Sequence, residues 1–102
     1  MGIRRTILNV LKVLNLDMKN VTIDDNYDEY ISIAIPFEHL KEFIEQEEGY
    51  GSTINYEKFK GIVDLALPEG TTVTIAELNE KLFLDFAMND KQRKLIKESW
   101  GL

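Results

Sequence analysis

The amino-acid sequence predicts a small α+β domain, an antiparallel sheet of about three strands packed with about four helices in the order αββαβαα. Three observations predict it. Apolar residues recur at helical spacing near the N-terminus, Ile31, Ile33 and Ile35 alternate with Tyr30, Ser32 and Ala34, and helix-start patterns stand at Thr74 and Asn89. The chain of 102 residues suits one domain over positions 1–102. Its 44% apolar and 29% charged residues are globular proportions and argue against a disordered chain.

Taken in order, Ile3, Ile7, Val10, Leu11 and Leu14 form one apolar stripe, with Arg5, Asn9 and Lys12 on the other side, which predicts a helix from Ile3 to Leu16. Val21 to Ile23 and Tyr30 to Ile35 read as strands of a hairpin, joined by the turn composition Asp24-Asp25-Asn26-Tyr27-Asp28. Pro36 ends the second strand and suits a first helical turn, so Phe37 to Glu47 is expected to be helical, with Phe37, Leu40 and Ile44 inward and Phe43 on their flank. Gly49-Tyr50-Gly51-Ser52 is a loop. Lys58 to Leu67 is expected to be a third strand, because Phe59, Val63, Leu65 and Leu67 share one parity, and Pro68-Glu69-Gly70 then turns the chain.

Thr74-Ile75-Ala76-Glu77 has the form of a capping box, and Asn89-Asp90-Lys91-Gln92 repeats it more weakly, so two helices are expected to follow. Asp90 early and Lys97 late in the last one suit its dipole. Trp100 and Leu102 are expected to close the core.

Charge divides the function classes. The net charge is −6, but residues 21–57 hold ten acidic groups against Lys41 alone, a balance of −9. Both ends are basic, through Arg4, Arg5, Lys12 and Lys19 at one and Lys91, Arg93, Lys94 and Lys97 at the other. An acidic middle repels nucleic acid and attracts basic protein surfaces. The basic ends lie on predicted amphipathic helices, where a solvated polar face explains them, so direct nucleic-acid binding is not expected. The chain has no cysteine, which removes disulfides and thiolate metal sites and fits a reducing compartment. Asn9 and Lys12 interrupt the first apolar stretch, no cleavage site follows it, and no apolar run is long enough to cross a membrane. A cytoplasmic protein without membrane contact is the expectation.

Catalysis has little to work with. His39 is the lone histidine; it stands three residues from Glu42, a spacing common by chance. Ser32, Ser52 and Ser99 lack a nucleophile-elbow context. Asp24, Asn26 and Asp28 have the 1, 3, 5 spacing of a calcium loop, but Glu29 stands where glycine is needed and Ile35 where the last carboxylate is needed. Gly49-Tyr50-Gly51 lacks the rest of a phosphate-binding loop. No enzyme, metal or cofactor is expected.

What remains is the acidic band. On the predicted helix, Glu38, Glu42 and Glu45 fall at i, i+4 and i+7, a column about 10 Å long, extended by Glu47 and Glu48. Like charges at this spacing mildly oppose the helix, a hint of selection for something else. Asp24, Asp25, Asp28 and Glu29 crowd the hairpin turn.

Ile31–Ile44 (ISIAIPFEHLKEFI), Tyr56–Pro68 (YEKFKGIVDLALP) and Thr74–Leu82 (TIAELNEKL) together resemble the antirestriction ArdA family, at Pro36, Glu38, Asp64, Pro68, Thr74, Ile75, Glu77, Leu78 and Asn79. The likeness covers about Val21 to Glu98, with gaps. Proteins of that family come from phages and mobile elements. They imitate the charged backbone of bent duplex DNA, with carboxylates in place of phosphates, and occupy the DNA site of type I restriction-modification enzymes. The resemblance therefore implies an inhibitor of a host defence enzyme of that type, or of another nuclease system such as CRISPR. Family members are longer, more acidic and form extended dimers; a homodimer is an open possibility here. The alternative is a cytoplasmic protein–protein interaction or regulatory module whose acidic face only keeps it solvated, docking through residues such as Tyr27, Tyr50 or Phe86.

Overall fold

Helix α1 (Ile3–Val13) forms where the apolar stripe predicts it, burying Ile7, Val10 and Leu11, with Leu14 just beyond its end. Asn15 stops it in the left-handed conformation (φ 58°), and the Leu16 N–H reaches back to the Leu11 carbonyl at 2.8 Å, a Schellman closure. This computed structural model describes residues 3–24, 31–47 and 51–101.

Strands β1 (Thr22–Asp24) and β2 (Ile31–Pro36) pair antiparallel, Ile23 against Ile33, as the hairpin reading expects. The next three elements differ from expectation. The predicted helix 37–47 is two single 3₁₀ turns, Phe37–His39 and Lys41–Phe43, followed by strand β3 (Ile44–Glu47) paired with β4 (Gly51–Ile54). Tertiary bonds replace helical ones. The Phe37 N–H donates to the Glu80 carbonyl at 3.0 Å and the Asn55 N–H to the Phe43 carbonyl at 2.7 Å. Leu40 (φ −120°, ψ 29°) breaks the run so that both Leu40 and Phe43 reach the core.

The predicted third strand is instead helix α2 (Tyr56–Asp64), capped by Asn55, whose side chain accepts the Lys58 N–H at 3.1 Å. Phe59 and Val63 are buried one turn apart, while Leu65, which a strand would have buried with them, is 83% exposed. The predicted helix at Thr74 is a hairpin: β5 (Thr72–Leu78) and β6 (Lys81–Ala87) joined by Asn79 and Glu80. Both turn residues have positive φ, 53° and 58°, as a type I′ turn demands, and the β-branched run Thr71 to Ile75 prefers a strand. Helix α3 (Asp90–Trp100) starts where expected. The Asn89 side chain accepts the Gln92 N–H, and Gln92 accepts from Met88. The class is thus α+β, with a four-stranded antiparallel sheet in the order β1-β2-β6-β5, a separate β3–β4 pair and three α-helices among the described residues.

Pleating divides that sheet. Ile33, Ile35, Leu82, Leu84 and Phe86 point to one face, where α1, α2, Leu40 and Phe43 cover them. Phe43 and Phe59 meet edge-on, centroids 5.3 Å apart. Burial of such side chains supplies ~1.5–3 kcal/mol each. Phe86, named above as a docking residue, is 1% exposed and belongs to this core. Ser32, Ala34, Phe83 and Asp85 point to the other face, toward α3. Trp100 packs there on Phe83 at 5.4 Å rather than closing the main core, and Leu102 lies outside the described residues.

Candidate binding site

The carboxylates singled out from the sequence are placed as follows. Glu38 is exposed in the first 3₁₀ turn, its Oε1 3.6 Å from His39 Nε2. Glu42 is exposed in the second, where its backbone carbonyl accepts from Lys58 Nζ at 3.1 Å. Glu45 is exposed on β3 and accepts from Asn55 Nδ2 at 2.9 Å. Since no helix carries these three, the expected column at i, i+4, i+7 does not form; they follow a turn–turn–strand path. Among the described residues, no lysine or arginine is ion-paired with any of them.

Asp24 belongs elsewhere. It pairs with Ser32 at the start of β2, whereas Glu38 follows the end of that strand. The strand from Ser32 to Pro36 alone separates them by ~13 Å. Asp25, Asp28, Glu29 and Glu48 lie outside the described residues, as do Tyr27 and Tyr50. Glu47 ends β3, with its side chain outside the description.

The basic ends are not equivalent. On α1, Arg4, Arg5 and Lys12 are exposed. On α3, Arg93 is engaged: its Nη2 donates to the Gly70 carbonyl at 2.9 Å, its Nε to Thr72 Oγ1 at 3.0 Å, and its other guanidinium arm pairs with Asp90. This clamp ties α3 to the edge strand β5.

A concavity of about 370 Å³ opens on the α3 face of the sheet, lined by Asp24, Ser32, Phe83, Asp85 and Trp100, with Lys81 among its other walls. Asp85 is 2% exposed; its Oδ2 accepts from Trp100 Nε1 at 2.6 Å and its Oδ1 has no hydrogen-bond partner among the described residues. Sequence reasoning missed this group. Its signal was an aspartate inside the apolar run Leu82-Phe83-Leu84-Asp85-Phe86-Ala87, a polar group that a strand must bury. A second cleft, about 420 Å³ and mostly apolar, lies between α1 and the β1–β2 pair, at Ile7, Leu8, Met18, Ile23 and Ile31.

No group of three or more histidine, aspartate or glutamate side chains among the described residues could hold a metal ion. No helix among them is long and apolar enough to cross a membrane. Compared with protein-family models, with curated proteins and with solved structures, the chain finds no match. The ArdA likeness rests on the quoted residues alone, and its Thr74–Asn79 motif lies on a strand and turn here.

Proposed function

We propose that this chain is a non-catalytic inhibitor that binds a basic, nucleic-acid-binding face of a host defence enzyme, a type I restriction-modification enzyme or another nuclease system such as CRISPR. In this reading it is a cytoplasmic protein of a phage or mobile element, and carboxylates stand in for phosphates. One observation carries it: Glu38, Glu42 and Glu45 are all exposed, unpaired with lysine or arginine among the described residues, in a segment whose balance is −9. A target that holds DNA through Lys and Arg accepts such an array and releases counterions likewise. His39, the lone histidine, sits beside Glu38 in the same turn, 3.6 Å from its carboxylate.

The test is competition. Purified type I restriction and CRISPR nucleases are titrated with the protein, and duplex-DNA binding is followed at rising salt. Inhibition that fades steeply with salt, and is lost in folded E38K/E42K/E45K, supports the proposal; a folded triple variant that inhibits normally sinks it.

A second reading is favoured by the apolar cleft beside α1, where Leu8 and Met18 are each 47% exposed. A regulatory module docking there would bind its partner with little response to salt.

A further inference from the structure

We propose that the concavity under Trp100 is a binding site for a small organic ammonium ion, a primary amine on a short apolar body, with Asp85 as its anchor. This site is separate from the Glu38–Glu45 segment and does not depend on the function proposed for that segment.

The starting point is where β6 puts Asp85. Strand parity turns it away from the core, between Ser32 on β2 and Thr74 on β5. Trp100, in the last turn of α3, covers it and donates its one N–H to Oδ2. That leaves Oδ1 without a donor among the described residues, in a residue 98% withdrawn from solvent. Native proteins pair such groups, and Asp85 lines the concavity, so its unmet oxygen suits a donor that enters there.

The rest of the wall says what donor. Ser32 stands opposite Asp85 on β2 and adds a hydroxyl oxygen, while Asp24, one strand further out, adds negative charge to the same wall. The Trp100 and Phe83 rings form an aromatic side. Acceptors converging beside aromatic faces suit an ammonium group, which has three N–H donors and is attracted by ring faces. Two carboxylates are too few for a protein-held divalent cation. The volume, about 370 Å³, is in the range of small-molecule sites.

Lys81 adds selectivity. It lies on the same strand face four residues before Asp85, ~13 Å away along β6. A ligand with a second ammonium meets Lys81 unfavourably, whereas a carboxylate at its far end is matched. The ligand class is therefore a monoamine or an ω-amino acid rather than a diamine. The same ammonium chemistry is available from a free metabolite or from the lysine side chain of a protein.

The chain has one tryptophan, so its indole N–H signal reports this site alone. The protein is titrated with pentylammonium, 5-aminopentanoate, 1,5-diaminopentane, Nα-acetyl-lysine methylamide and, as a neutral control, pentanol, while that signal is followed by NMR. The expected result is a saturable shift with pentylammonium or 5-aminopentanoate, or with the blocked lysine if the source is a protein. Affinity is expected to be at least tenfold lower for pentanol, and lower for the diamine than for 5-aminopentanoate. Asp85→Asn keeps an oxygen for Trp100 but removes the charge, and is expected to weaken amine binding at least tenfold. If that variant does not fold, Thr22→Phe decides, at an exposed residue of the concavity's wall, by blocking the shift. No saturable shift with any amine, pentanol binding as well as the amines, or unchanged binding in the folded variant used overturns the site.

Discussion

Trp100 Nε1 donates to Asp85 Oδ2 at 2.6 Å, tying the last turn of α3 to an inner strand of the sheet. The bond gives a buried carboxylate oxygen its partner and holds the indole against Phe83. Replacing Trp100 by Phe keeps a ring but leaves both Asp85 oxygens without a donor among the described residues, at a cost of about 1–3 kcal/mol. Asp85→Asn retains an acceptor and is expected to change stability by less than about 1 kcal/mol. Urea unfolding of the two variants distinguishes them; equal stability of Trp100→Phe and the parent would show that the bond contributes nothing.

Phe59 and Leu65 separate the helix from the strand that spacing alone allowed. Phe59 is fully buried, edge-on to Phe43, so Phe59→Ala is expected to cost about 3–5 kcal/mol. Leu65 is 83% exposed, and Leu65→Ala should stay within about 0.5 kcal/mol. Comparable losses at both positions would restore the strand.

Glu80 holds a left-handed conformation without being glycine, φ 58°, in the β5–β6 turn. Glu80→Gly makes the favoured Asn-Gly pair and is expected to raise stability by roughly 0.5–1 kcal/mol, net of the added freedom of the unfolded chain. In a helix the same change would lower it. A fall in melting temperature would therefore count against the hairpin.

Tyr56 is pushed up to about 12 by partial burial of its phenol, then by its hydrogen bond to Glu77 and that carboxylate's charge. Below pH 10.0, its ordinary value, the phenol keeps its proton in both folded and unfolded chains, so its contribution is whole. Between there and about 12 the unfolded chain loses the proton first, and stability falls. Tyr56→Phe should flatten the stability profile across this window and remove the last step of tyrosinate absorbance. An unchanged profile would disprove the contact.

Elements with one strong pattern were legible. The α1 stripe has polar residues opposite it, the Ile31–Ile35 alternation admits a single period, and Asn89 and Gln92 mark α3 from both sides. Ambiguity arose where one spacing serves two structures. Phe59 and Val63, four apart, share a face in a helix and in a strand. In residues 37–47, tertiary hydrogen bonds from Phe37 and to Phe43 outweigh local helical preference. At Thr74, a capping-box pattern competed with a β-branched run and lost. The site followed the same division. Exposure of Glu38, Glu42 and Glu45 could be read from residue type, but their relative placement depended on the backbone. Asp85 was hidden because a lone carboxylate in the run Leu82 to Ala87 shows its burial only once that run is known to be an inner strand.

The two inner strands of the sheet, β2 and β6, join residues about fifty positions apart, Ile33 against Leu84. Each hairpin can close quickly on its own, but the seam between them must wait until residues 81–87 exist and find their partner. A nascent or truncated chain that stops short of β6 leaves the inner edge of β2 without its partner, an unpaired strand edge open to another copy. Folding rate and resistance to aggregation are therefore governed by this single late seam, and substitutions along it should slow refolding more than those in α1 or α3.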